Sequence, residues 1–324
     1  MAESQPLDEF QLIRRFFDRP LSDRSVRSGI GDDGAVMTPQ PGRDLVTVID
    51  TLIEGVHFPD KLSPADIGYR AVAVNLSDIA AMGARPRWMT LALTLDNADE
   101  SWLKDFAGGL FEAADTCGVS LVGGDTTRGR QKLMSVQITG DVAAGKSISR
   151  SGASPGDLLF VSGTVGDAAA GLSLINDDDA STENNRFLQK RFCRPAARVE
   201  LGQALVGIAT AAIDISDGLF ADAERLLIAS DTAGVIEVNS IPLSAALKSF
   251  TDDEDELVSL ALAGGDDYEL CFTAAPGNAH KLIELAEPLG VAISCIGTVQ
   301  MGEGLTCQRD GNATDYQHQG YKHF

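Results

Sequence analysis

Aspartate recurs in this chain where apolar, β-branched runs stop. Asp50 follows Leu45 to Ile49, Asp125 follows the segment from Val119 to Gly124, and Asp214 and Asp217 follow Thr210 to Ile213. Asp32 and Asp33 stand between glycines, and Asp78 interrupts a stretch otherwise patterned for burial. Taken singly, each is more readily a turn or capping residue. Taken together they pose an electrostatic problem, because neighbouring carboxylates repel and raise each other's pKa unless cations intervene. Oxygen donors, with few histidines and no paired thiols, select Mg²⁺ or Mn²⁺ over zinc. An EF-hand is excluded, since Asp214-Ile-Ser-Asp-Gly218 lacks the spacing and the terminal Glu. Strand ends are where α/β proteins gather ligands, and glycine-rich turns offer backbone amides to phosphate. From chemistry alone the chain is expected to be an ATP- or phosphate-handling enzyme.

Two phosphate-binding motifs match in letters and fail in context. Gly29-Ile-Gly-Asp-Asp-Gly34 fits the dinucleotide pattern, but no strand precedes it, no helix pattern follows it, and two adjacent carboxylates would repel a pyrophosphate. Gly140-Asp-Val-Ala-Ala-Gly-Lys-Ser147 fits the P-loop pattern after a strand-like run. Its continuation to Gly156 carries two further glycines and a proline and cannot sustain the helix that a P-loop feeds. Lys146 is therefore expected to be an ordinary loop residue.

The elements that must position the aspartates alternate along the chain. Asp8 caps a short amphipathic helix ended by Pro20. Ser63-Pro64 opens a strong helix that Gly83 ends, with Asp78 inside it. Trp88 to Leu95, Val119 to Val122 and Leu133 to Thr139 read as strands, and Trp102 to Cys117 as a helix. The turn-rich segment Ser151 to Asp157 marks a domain junction, giving domains at 1–150 and 151–324. Beyond it come a strand at Leu158 to Ser162, a helix from about Asp167, and a polar segment, Asn176 to Asn185, expected to be a mobile loop or linker. Strands and helices are mixed, so the fold class is α/β or α+β.

Composition closes off other roles. The chain has 324 residues, and 47 acidic against 26 basic side chains give a formal charge of -21. That balance argues against nucleic acid and anionic membranes as partners. The five cysteines are scattered without Cys-x-x-Cys spacing and read as reduced thiols, not a disulfide framework or a zinc site. The N-terminus lacks the basic and apolar regions of a signal peptide, and no apolar run approaches a membrane span. A cytoplasmic protein is expected.

Several blocks carry a resemblance. Gly31-Asp-Asp-Gly34, Asp50 to Phe58, Asn75 to Gly83, Gly123-Gly-Asp-Thr-Thr127, Ser149-Arg-Ser-Gly152, Asp214 to Leu219, Gly264 to Leu270 and the ending Gly320-Tyr-Lys-His-Phe324 resemble the thiamine-monophosphate kinase family, in family order and across essentially the whole chain. Short Asp-Gly blocks also occur in aminoimidazole ribonucleotide synthetase, selenophosphate synthetase and the hydrogenase-maturation protein that dehydrates carbamoyl groups. His57-Phe58 and the tail from Tyr321 to Phe324 point to the kinase.

The resemblance implies an aminoimidazole ribonucleotide synthetase-like fold of two domains. The N-terminal sheet would pair across a homodimer into a barrel and bind ATP and Mg²⁺, and a C-terminal α/β domain would complete the active site. It implies transfer of the γ-phosphoryl of ATP to thiamine monophosphate. Asp33, Asp50, Asp78, Asp125, Asp214 and Asp217, with Asp32 adjacent, match metal ligands. Gly124, Asp125, Arg150 and Ser216 match ATP contacts, and His57, Asp266 and Tyr321 match substrate contacts. In their own right, Arg150 is as readily a solvated charge, His57 a structural hydrogen-bonding residue and Tyr321 a packing residue. Two departures stand out: Val48-Ile49 replaces the hydroxyl residues that often precede the equivalent of Asp50, and Asp266 stands where relatives can carry Glu. The alternatives are a related ATP-dependent enzyme, such as a ribonucleotide cyclo-ligase, and a noncatalytic Mg²⁺-nucleotide-binding protein.

Overall fold

The chain enters its first helix through a reciprocal cap. The Asp8 carboxylate accepts the Gln11 amide at 2.8 Å and the Gln11 side chain accepts the Asp8 amide at 3.1 Å, which satisfies two otherwise orphaned donors. The structure, a computed structural model, describes residues 8–21, 23–175, 182–314 and 316. These divide into two compact units, drawn from Met1–Leu76 with Pro86–Ala143 and from Ser77–Arg85 with Ala144–Phe324.

In the first unit α1 (Glu9–Phe16) precedes a hairpin of β1 (Val26–Ser28) and β2 (Val36–Met37). Then follow β3 (Arg43–Ile53), the helix α2 (Pro64–Ala81), whose residues from Ser77 onward belong to the second unit, β4 (Arg85–Leu95), α3 (Glu100–Cys117), β5 (Ser120–Arg128) and β6 (Leu133–Ala143). Four strands form a sheet in the order β3-β6-β4-β5. β3 and β6 are antiparallel from Arg43 to Ile53, and β4 and β5 are parallel. Two strands run further than their apolar stretches. β3 continues through Asp50 to Ile53 and β5 through Asp125 to Arg128, so both aspartates sit inside strands and not beyond their ends. Ladder bonds to β6 and β4 hold the polar continuations in place; side-chain polarity there reports a solvated face, not a break.

The P-loop-like letters dissolve in the same sheet. Gly140 to Ala143 complete β6, and Asp141, 1% exposed, is ion-paired with Arg43 and with Arg87. No helix follows before residue 158. The dinucleotide-like letters directly follow β1, so a strand does precede them, contrary to the expectation, but β2 and no helix comes after them.

The second unit contains β7 (Leu158–Ser162), α4 (Asp167–Ser173), α5 (Glu183–Cys193), α6 (Val199–Leu205), β8 (Ala209–Asp214), α7 (Leu219–Ala229) and β9 (Ala233–Glu237). It continues with α8 (Ala245–Lys248), α9 (Glu254–Ala263), β10 (Leu270–Ala274), α10 (Ala279–Leu289), β11 (Ile293–Gln300), β12 (Gly304–Arg309) and β13 (Asn312–Thr314). Its seven strands are ordered β13-β12-β9-β11-β7-β10-β8. Leu159, Val161 and Ile213 from the sheet pack with Leu219, Leu226 and Leu227 of α7 in the core. The mixed α/β class expected from the pattern holds in both units. Of the polar segment expected as a loop, residues 176–181 lie outside the described residues, whereas Thr182 caps α5 and Glu183 to Asn185 are helical. Among the described residues no helix is long and apolar enough to cross a membrane, and all five cysteines are free.

Candidate active site

In the first unit a cavity of about 770 Å³ lies among α1, the loop from Gly29 to Ala35, and β5. Phe10, Ile13 and Phe17 give it an apolar wall, and Asp32, Asp33 and Asp125 give it carboxylates. The two loop aspartates are exposed, and the Asp32 carboxylate accepts the Asp33 amide at 2.9 Å, which fixes the turn between them. Gly124 also lines the cavity, and its residue type is forced. A Cβ there would lie 1.9 Å from the Leu91 carbonyl of β4, and its φ is +155°. Asp50 and His57 are not among the lining residues. Asp50 is half-buried within β3, opposite Val136. His57 folds back on its own turn, Nδ1 accepting the Ile53 amide at 3.0 Å, which leaves the proton of a neutral ring on Nε2.

In the second unit Asp214, Ser216, Asp217 and Asp266 come together where β8 ends and β10 begins. Asp214, 4% exposed, accepts the Ser77 hydroxyl at 2.8 Å. The Asp266 amide donates to the Ser216 carbonyl at 2.9 Å and the Tyr268 amide to the Ile215 carbonyl at 2.8 Å, so the 264–269 loop is stitched to the 214–217 turn. Asp266 and Tyr268 both adopt positive φ, +71° and +51°, and the Tyr268 hydroxyl donates to the Asp266 carboxylate at 3.2 Å. Asp78 is half-buried near the end of α2, next to Ser77. Arg150 is exposed, and its carbonyl accepts the Ser230 hydroxyl at 3.1 Å. Tyr321 lies outside the described residues.

Among the described residues no three carboxylate, imidazole or thiol groups stand close enough to hold a metal ion by themselves. The donors present are nonetheless hard oxygens throughout. They suit Mg²⁺, which keeps several waters and takes one or two carboxylates together with phosphate oxygens.

Residues 31–142 match the sequence model of the AIR synthase related protein N-terminal domain, and residues 154–310 that of its C-terminal domain. The chain is 45% identical over 320 residues to the thiamine-monophosphate kinase of Salmonella typhimurium, covering 98% of both chains. The chain belongs to the thiamine-monophosphate kinase family. A crystal structure of the family's enzyme from Stenotrophomonas maltophilia superposes with a TM-score of 0.84 at 43% identity, covering 90% of this chain and 93% of that one. A structure of AaThiL complexed with AMPPCP and TMP gives a TM-score of 0.79 at 32% identity, with 89% of each chain covered.

Four charged residues of this family member escape a reading of the sequence, and they brace the candidate site. Asp222 is 1% exposed, and its carboxylate accepts the amides of Ser216 and Asp217 at 3.0 and 2.9 Å, fastening the turn. Its position on the apolar stripe of α7, beside Leu219, Ala223 and Leu226, was the available signal. Arg225 joins Asp222 to Asp217 through one guanidinium nitrogen. Glu269, fully buried, accepts from Arg191, Arg198 and the Ser162 hydroxyl. Asp267, also fully buried, accepts the amides of Gly166 at 2.6 Å and Ala168 at 3.1 Å.

Asp167, Asp267 and Glu269 set three carboxylates against the two guanidiniums of Arg191 and Arg198, so one bound proton balances the cluster. Burial, with Asp167 alongside, pushes the Asp267 carboxyl up to about 8 against the pull of Arg191 and the two amides. In the unfolded chain this carboxyl titrates near 4, so between about pH 4 and 8 the folded protein holds a proton that the unfolded chain has released. The contribution of Asp267 to stability is therefore fully present below about pH 4 and is lost as the pH rises through about 8. Asp267→Asn is expected to flatten the fall in unfolding free energy between pH 5 and 8, read from urea titrations at several pH values. An unchanged slope would rule out Asp267 as its source.

Proposed function

We infer that the chain is an ATP-dependent kinase that transfers the γ-phosphoryl of ATP to thiamine monophosphate, giving ADP and thiamine diphosphate in thiamine diphosphate biosynthesis. The observation that carries this is 45% identity across 98% of both chains with a thiamine-monophosphate kinase. The solved relative complexed with AMPPCP and TMP supports the same pair of substrates.

The cavity of the first unit is assigned to the nucleotide. Its apolar wall of Phe10, Ile13 and Phe17 suits a base, and its glycine-flanked loop suits a polyphosphate. Gly124, Asp125, Arg150 and Ser216 are assigned to ATP, and His57, Asp266 and Tyr321 to thiamine monophosphate. Asp32, Asp33, Asp50, Asp78, Asp125, Asp214 and Asp217 would hold Mg²⁺. When bound, Mg²⁺ neutralises charge on the donor and acceptor phosphates. The acceptor is already an oxyanion, so the protein needs no strong general base and no phosphoenzyme, and its residues act by orienting the two phosphates for in-line transfer.

Residues 1–150 would bind ATP and form the homodimer, and residues 151–324 would supply the further carboxylates and substrate contacts. The dimer reading is supported by β3, an edge strand whose Leu45 and Ile49 are 51% and 65% exposed on one face. A cytoplasmic location suits a soluble substrate pair.

One assay tests the reading: ADP release with thiamine monophosphate, with an aminoimidazole ribonucleotide precursor, and with no acceptor. Release above background with thiamine monophosphate alone is expected. Release only with the ribonucleotide, or with neither, would transfer the chain to one of the two alternatives. Lys146→Ala is expected to keep near-full turnover, because Lys146 is exposed in a loop that leads to no helix. An inactive but folded variant would revive the P-loop.

A further inference from the structure

Arg225 bridges two carboxylates beside the candidate site. Its Nη1 lies 2.5 Å from Asp217 Oδ2 and 2.6 Å from Asp222 Oδ1, so one nitrogen serves two carboxylates. The two acceptors differ in kind. The Asp222 side chain is 1% exposed and its other oxygen holds the amides of Ser216 and Asp217, so it is fixed in place. The Asp217 side chain is 29% exposed, and that of Arg225 is 41% exposed on a long flexible stem. The guanidinium can therefore leave Asp217 and keep Asp222, whereas Asp222 can leave neither.

We propose that Arg225 is an internal counter-cation of Asp217, occupying one of its carboxylate oxygens and competing for it with a divalent cation. The inference rests on the reading of Asp217 as a metal ligand. Without metal, Asp217 on the turn and Asp222 in the first turn of α7 would repel each other, and the shared guanidinium offsets that repulsion. A cation arriving with a nucleotide would take the Asp217 oxygen, and Arg225 would remain on Asp222. Metal affinity is thus held below what the carboxylate alone would give, and the turn stays ordered in both states.

The test is Mn²⁺ binding to the full-length protein without nucleotide, followed by electron paramagnetic resonance, for wild type, Arg225→Gln, Arg225→Lys and Asp217→Asn. Arg225→Gln is expected to bind Mn²⁺ about fivefold more tightly, the scale of one partly exposed ion pair removed. Arg225→Lys, whose single ammonium can stay with Asp222, should fall between the two, and Asp217→Asn should bind more weakly than wild type. Weaker binding in Asp217→Asn with unchanged or weaker binding in both Arg225 variants would overturn the competition and leave Asp217 a ligand. Unchanged binding in Asp217→Asn, or no Mn²⁺ bound by any form, would overturn the ligand reading and the inference with it. Circular dichroism identifies an unfolded Gln variant, in which case the Lys variant decides alone.

Discussion

Asp125→Asn is expected to lower kcat on the order of 10²- to 10³-fold, the cost of removing one preorganised charged group from a reacting phosphate, with the melting temperature within a few degrees of wild type. The carboxylate is exposed on β5 and lines the same cavity as Asp32 and Asp33. Asn preserves its size and β5 its backbone, so the substitution changes charge and little else. Steady-state turnover across a range of Mg²⁺ concentrations is the measurement. A ligand role predicts partial recovery at high Mg²⁺. Turnover close to wild type at low Mg²⁺ would remove Asp125 from the metal-binding set.

The largest loss of stability is expected at Glu269. Its carboxylate is fully buried and accepts from Arg198 Nε at 2.6 Å, Arg191 Nη2 at 2.9 Å and the Ser162 hydroxyl at 2.6 Å. The space it occupies is left open by Gly163, where a Cβ would lie 2.2 Å from Glu269 Oε1. Glu269→Ala removes the carboxylate that Arg191 and Arg198 share, although Arg191 keeps its ion pair with Asp167; breaking a buried pair from one side costs about 3–5 kcal/mol. Glu269→Gln keeps the shape and one acceptor and should lose less. Urea unfolding measures both, and equal stability of Ala and wild type would dismiss the network as a brace.

Local signals were legible and distant partners were not. The Asp8 cap, the Pro64 start of α2, β7 from Leu158 to Ser162 and the helix from Asp167 all follow from rules acting within a few residues. The rise in polarity at Asp50 and Asp125 reads as two strand ends, yet a strand stops where its ladder stops, and the ladder belongs to β6 and β4. In the candidate site, aspartates between glycines announce themselves. Glu269 does not, since the arginines that make it tolerable lie 78 and 71 residues away in sequence. Asp222 lies between these cases: a carboxylate on an apolar helix face is visible as an anomaly, but its purpose appears only once Ser216 and Asp217 are seen above it.

The 264–269 loop has a bearing on how the protein could be made more heat-resistant. Asp266 and Tyr268 both occupy left-handed backbone, which costs on the order of 1 kcal/mol or more per residue that has a side chain. Glycine in place of Asp266 would remove that cost, whereas in place of Tyr268, which is 8% exposed, the lost burial of the ring would outweigh it. Glycine in place of Asp266 would also delete the carboxylate assigned to the substrate. Thermal tolerance and substrate binding therefore pull on the Asp266 backbone in opposite directions. Variants selected for heat alone should drift towards glycine at residue 266 and lose their grip on thiamine monophosphate.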